Sequence, residues 1–266
     1  MKDLFSEQSH IYQQARPSYP HAVIAEILKH VPHKQFAWDC GAGSGQFTQL
    51  LSPYFEQIVA TDLSAQQLKQ AHYLENVSYQ IQHAEKTSFH DQTFDLVTVA
   101  QAIHWFDFDA FYAEVQRTLK PDGVLAVIGY GLIQIQDVAV NRLLQSLYYE
   151  TLKGYWDAER KYIDEGYATI PFPFDELHVP RLKMHYQWSV DQFLNYLSTW
   201  SALKKYKKEN QQDPLKKLAE FFQEHGYKHA LLNVEFPIFL RIGRLKSSQM
   251  KKNAKRPSIM RYSFKS

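Results

Sequence analysis

One seven-residue stretch constrains this chain more than any other. Asp39-Cys40-Gly41-Ala42-Gly43-Ser44-Gly45 sets three alternate glycines between the apolar run FAWDC (36–40) and the helical stretch QFTQLLSPYF. Glycines let the backbone turn tightly and approach a ligand with no Cβ in the way. The helix behind them begins with N–H groups that have no partner in the helix. An apolar strand, a glycine turn and a helix make the opening unit of a doubly wound α/β sheet.

The following residues repeat that alternation. Apolar or alternating runs at 56–64, 76–85, 93–102 and 123–131 read as four more strands. Residues 19–31, 65–74 and 109–120 carry helical spacing, and Pro121-Asp122-Gly123 reads as a turn ahead of the fifth strand. This order predicts a parallel sheet with helices on both faces and right-handed crossovers. Ligands of such sheets sit outside the carboxyl ends of the strands, so the turns after Cys40, Thr61, Ile81, Ala100 and Tyr130 are expected on the functional edge. Beyond Gly131 the alternation stops. Residues 136–164 read as two helices, 165–180 as a proline-bearing loop, 181–189 as a late strand, and 190–210 and 213–226 as helices. A last strand is expected over 231–246, bulged at Pro237. Thirteen aromatic residues fall between 132 and 200, Tyr148, Tyr149, Tyr155, Trp156, Tyr162 and Tyr167 among them. A cap holding them above the sheet edge would shape an acceptor pocket.

Composition narrows the function classes. The longest uncharged apolar stretch, 123–133, is far short of the roughly 20 residues a bilayer helix needs. The N-terminus has no apolar segment of a secretory signal, and the single Cys40 excludes an intrachain disulfide and a multi-cysteine zinc site. The expectation is a cytoplasmic protein without a metal. Of 30 Lys/Arg, nine fall after residue 240, together with none of the 28 Asp/Glu. An acidic body therefore carries a basic tail.

Electrostatics discriminates between ligands for the glycine turn. A dinucleotide fingerprint, G-x-G-x-x-G, would need glycine at 46 or 48, where the chain has Gln46 and Thr48. Asp39 at the strand end would repel a pyrophosphate, which disfavours a nicotinamide oxidoreductase. It suits a ligand with a cationic amino group and no phosphate, as S-adenosylmethionine (SAM) is. Asp62, 17 residues after Gly45, can accept hydrogen bonds from two ribose hydroxyls.

With DxGxGxG at 39–45, Asp62, FDLVTVAQAIHWF at 94–106 and LKPDGVLAV at 119–127, the chain resembles the class I SAM-dependent methyltransferases. FSEQSHIYQQARPSYP, AQAIHWFD and TWSALKKYKKEN are similar to the trans-aconitate methyltransferase-like group. The resemblance implies a Rossmann-like seven-stranded sheet with one antiparallel strand and a helical cap over its C-terminal edge. It implies a single methyltransferase domain over 1–246, with its core at 32–131, cap segments at 132–180 and 190–226, and a flexible tail at 247–266. The implied cofactor is SAM. Gly41, Gly43 and Gly45 would line its methionine part, with Asp39 near the ammonium. Asp62 would hold the ribose, Ala84 and Glu85 would flank adenine, and Gln101 would lie below the sulfonium. Tyr12 and Arg16 would fold over the site. His104 and Trp105 would face the acceptor, His104 as a candidate base and Trp105 as a wall. Cys40 reads as a small buried residue. The expected partner is a small-molecule acceptor, with a carboxylic acid giving its methyl ester as the subgroup's suggestion, on a monomer or homodimer. The rivals are an RNA methyltransferase that uses the basic tail and a SAM-binding protein without catalysis.

Overall fold

A computed structural model describes residues 17–246, apart from the Lys228 side chain. Five strands come first: β1 (Phe36–Cys40), β2 (Gln57–Asp62), β3 (Val77–Ile81), β4 (Phe94–Ala100) and β5 (Leu119–Tyr130). They pair in parallel in the order β3-β2-β1-β4-β5. The sheet is completed by β6 (Gln134–Ile135), β7 (Asp175–Leu177), β8 (Leu182–Ser189) and β9 (Leu231–Arg244). β9 runs antiparallel to β5 and β6 on one side and to β7 and β8 on the other. Nine segments thus fill seven strand positions, and only β9 runs against the rest.

The period-2 alternation of strand side chains divides the core into two clusters. Val124, Ala126 and Ile128 of β5 join one cluster, and Leu125 and Val127 the other. On the first face pack α1 (His21–Lys29) and α2 (Gln46–Leu51), through Val23, Ile24, Ile27, Phe47 and Leu51. On the second packs α4 (Phe108–Thr118), through Phe111, Tyr112 and Val115. The intervening α3 is one turn, Ala65–Leu68, although helical spacing ran on to residue 74. Gln67 is its only buried residue, and a helix in water extends little without an apolar face to bury.

Two expectations for the late strands need correction. Pro121-Asp122-Gly123 does not precede the fifth strand but loops out within it. Phe94 pairs with Leu119 and Leu96 with Val124, so four residues stand opposite Asp95. Asp95 closes the loop by accepting from Lys120 Nζ at 2.7 Å and from the Gln35 and Phe36 amides. Pro237 makes no bulge, because β9 keeps unbroken register with β8 there. Its carbonyl accepts from Gly131 N at 3.0 Å. Its missing donor therefore faces the break between β5 and β6, where no ladder bond is lost.

The cap begins with α5 (Val138–Ser146), which runs into a π turn at Leu147–Thr151. It continues through α6 (Arg160–Asp164), α7 (Val190–Ser198), α8 (Ser201–Asn210) and α9 (Lys216–Glu224). The expected helix at 190–210 is two helices, and Thr199 and Trp200 at the break turn toward the carboxyl ends of β4 and β5. Among the described residues no helix is long and apolar enough to cross a membrane.

Candidate active site

The glycine turn closes over β1 as its spacing requires. Gly41, Gly43 and Gly45 all have positive φ, at 70°, 56° and 75°. A Cβ on Gly41 would stand 2.6 Å from the Ala102 Cβ, so the turn and the loop after β4 touch only because glycine is there. Asp62, at the end of β2, accepts from Gly43 N at 2.9 Å and from Ser64 N at 2.8 Å. These bonds fix its carboxylate against the turn.

Asp39 lies differently from its expected position at the ligand surface. It is fully buried beneath the turn and accepts from the Thr48 hydroxyl at 2.6 Å and the Thr98 hydroxyl at 2.9 Å. Burial raises its pKa to about 6 against the pull of those two hydroxyls. At neutral pH it is thus an anion under the floor of the turn. Cys40 is buried, and burial pushes its thiol well up, which makes it inert.

Ala84 and Glu85 occupy the tight turn closed by the His83–Lys86 bridge, beyond β3. Ala84 is buried, and Glu85 accepts from the Asp107 amide at 3.3 Å. Gln101 ends β4 with φ +55°, a left-handed conformation that a non-glycine residue adopts at a cost and that clusters at functional sites. Its side chain donates to the Tyr130 carbonyl at 3.2 Å. His104 is buried on the short 3-10 turn Ile103–Trp105, with the Trp105 ring 5.0 Å away. Tyr12 and Arg16 lie outside the described residues, as does the tail at 247–266.

Tyr167, one of the aromatics expected in the cap, joins the two sides. Its hydroxyl donates to Gln101 Oε1 at 3.2 Å and lies 3.0 Å from His104 Nδ1. Because Gln101 uses its amide nitrogen on Tyr130, its oxygen must be the acceptor for Tyr167. Tyr167 then accepts from His104, which puts a proton on Nδ1. Burial drives the Tyr167 phenol far up, so it stays a hydroxyl. A signal for this contact was present: Gly129 interrupts β5, and a Cβ there would stand 2.5 Å from the Tyr167 ring. Glycine inside a strand marks such close approaches.

A cavity of about 100 Å³ opens at this point. Gln101, His104 and Trp105 line it from the sheet edge, and Trp156, Arg160 and Trp200 from the cap. The Trp156 and Trp200 rings meet at 5.4 Å, and both pack on Tyr148 of the π turn. Of the other cap aromatics, Tyr162 packs on Phe108 and Tyr196 on Phe236, Tyr155 meets Tyr206 within the cap, and Tyr149 is exposed.

Residues 38–127 match the methyltransferase domain family. A Dictyostelium discoideum protein named as a methyltransferase is 33% identical over 246 residues, spanning 90% of this chain and 93% of that one. A Saccharomyces cerevisiae protein named as an S-adenosylmethionine-dependent methyltransferase is 30% identical over 129 residues, 45% of this chain and 44% of that one. A solved structure from Anaeromyxobacter dehalogenans, described as a type II methyltransferase, is 38% identical and superposes with a TM-score of 0.80, covering 86% of this chain and 97% of that one. The residues present fit the cofactor of this family: main-chain atoms freed by glycine, a fixed carboxylate at the end of β2 and an anion beneath the turn all suit a phosphate-free ligand with an ammonium. The chain belongs to the class I SAM-dependent methyltransferases.

Proposed function

We propose that this enzyme methylates a small molecule held in the cavity between Gln101 and the cap, and that the acceptor is a small carboxylic acid converted to its methyl ester. The cavity itself carries this reading, because it joins the end of β4 to an aromatic wall and, at about 100 Å³, suits a small acceptor group. SAM, when bound, supplies an activated methyl group on a good leaving group. The chain's part is then chiefly alignment and exclusion of water.

Gly41, Gly43 and Gly45 line the methionine part, and Asp39 contributes its charge from below. Asp62 takes the ribose hydroxyls, Ala84 and Glu85 border the adenine, and Gln101 sits beside the reacting centre. Tyr12 and Arg16 belong to the cofactor side. Trp105 walls the acceptor side, where its face can meet a sulfonium charge. Tyr167 holds His104 at Nδ1. A hydroxyl or amine acceptor would pass its proton to His104, whereas a carboxylate arrives as an anion and needs no base.

Incubation with methyl-labelled SAM and a mixed small-metabolite extract tests this. The expected product is labelled, of low mass, and releases labelled methanol in alkali. Labelled RNA, or bound SAM with no labelled product, would overturn it.

A further inference from the structure

Among the described residues Arg160 is the one Lys or Arg that lines the cavity, and its terminal nitrogens are not used by the fold. Its Nε donates to the Tyr148 hydroxyl at 2.7 Å and lies 3.4 Å from Asp164 Oδ1. Its Nη1 and Nη2 have no hydrogen-bond partner among the described residues. The guanidinium is nevertheless held in place. It lies 5.3 Å from the Tyr148 ring centroid and 4.9 Å from that of Trp156, and the side chain is only 22% exposed. Two aromatic faces and one Nε bond leave the outer edge of the fork as the part that faces a ligand.

Charges nearby do not fill that edge. Asp157, the only carboxylate lining the cavity among the described residues, accepts from Lys205 Nζ at 2.6 Å and lies 3.5 Å from the Ser201 hydroxyl. Asp164 takes the Tyr148 hydroxyl as well as Arg160 Nε. Asp157 is thus paired with Lys205, and Asp164 with the Tyr148 hydroxyl and Arg160 Nε, so among the described residues neither acid takes the fork's two outer nitrogens.

We propose that Arg160 is the acceptor-recognition residue and that its Nη1 and Nη2 grip a carboxylate of the acceptor. This rests on the methyl-transfer reading and deepens it. A guanidinium fork matches a carboxylate with two parallel hydrogen bonds. The same pairing draws electron density from the carboxylate and makes it a poor nucleophile. The anion on Arg160 is thus a handle, and the methylated atom is a second group of the same molecule. The substrate class is a small bifunctional acid: one carboxylate for Arg160, and another nucleophile reaching past Gln101 and His104. The methyl carbon forms its new bond to that nucleophile as its bond to sulfur breaks, and the electron pair of that bond stays on sulfur.

The full-length enzyme, methyl-labelled SAM and a small-metabolite extract provide the test. Passing the extract over an anion-exchange resin beforehand should abolish labelling by the wild type, and eluting the resin should restore it. Arg160→Met should raise the KM for the eluted acceptor about a hundredfold, because a two-pronged charged pair is lost. Arg160→Lys should fall between the two, since it keeps the charge but not the fork. Calorimetry with S-adenosylhomocysteine supplies a readout apart from turnover; its affinity should be equal in all three proteins. Undiminished labelling from the resin-treated extract, or an unchanged KM in Arg160→Met, overturns the assignment. If Arg160→Met fails to bind S-adenosylhomocysteine, its fold is at fault and the wild-type resin experiment decides alone. If the wild type binds S-adenosylhomocysteine but labels nothing in any extract, the methyl-transfer reading fails and this assignment falls with it.

Discussion

The glycine turn and the cavity under the cap are built by different means. At the turn, the proposed cofactor wall, the working surface is main chain, shaped by Gly41, Gly43 and Gly45 and pinned by the bond from Gly43 N to Asp62. On the acceptor side it is side chain: Trp156, Arg160 and Trp200, carried by a cap that touches the sheet edge through Tyr167. A main-chain surface tolerates little change in the sequence that makes it, because conformation and close approach both demand glycine. A side-chain surface can be rebuilt one residue at a time while the sheet stays as it is. One wall is thus suited to a constant ligand and the other to a variable one.

Breaking the main-chain wall should have the largest effect. Gly41→Ala forces a left-handed residue, at roughly 1–2 kcal/mol, and drives its Cβ against Ala102. SAM affinity should fall by about a hundredfold or more, since the backbone donors move with the turn. Titration calorimetry checks this, with melting temperature as the control for folding; unchanged affinity would show that the turn does not contact the cofactor. An intermediate effect is expected where the walls meet. Tyr167→Phe removes the hydroxyl between Gln101 and His104, a loss of about 1 kcal/mol in each bond. Turnover should drop about tenfold while SAM affinity stays within about twofold, because the lost bonds orient the acceptor side.

The smallest effect on binding and turnover concerns the anion under the turn, whose signature lies in stability. The pKa of Asp39 is about 6 in the fold, above the 3.8 of an unburied carboxyl. The unfolded chain therefore releases this proton first as pH rises, and stability falls between about pH 4 and 6 by up to ~3 kcal/mol. Asp39→Asn removes that dependence. Its melting temperature relative to wild type should rise from pH 4.5 to pH 7 by a few degrees. A constant difference would show that the carboxyl ionises normally where it lies.

The same contrast explains what was legible in the sequence. β1 to β5, their order and the ligand edge follow from local patterns: apolar runs of strand length, alternate glycines and Asp62 at a strand end. The sheet beyond β5 was blurred where register depends on distant partners. Pro237 sits in a strand because β5 stops beside it, and Pro121 loops out because Asp95 anchors Lys120 across the pair. Asp39 was recognised by its place in the motif, but its burial depends on Thr48 and Thr98, nine and 59 residues away. Tyr167 was marked only as one of the cap's clustered aromatics, and Arg160 carried no local signature. Their roles come from contacts to Gln101, His104 and Tyr148, which only the folded cap creates. Gly129 was the single local trace of that arrangement.

The proposed SAM site joins a main-chain turn to Asp62, and calorimetric titration of SAM into wild-type protein and into Asp62→Ala puts it to the test. One site is expected in the wild type and an affinity about tenfold or more lower in the variant, with the melting temperature of the unliganded protein little changed, because hydrogen bonds to a charged carboxylate are among the stronger ones lost. No heat of binding in the wild type, or equal affinity in the two proteins, would contradict it.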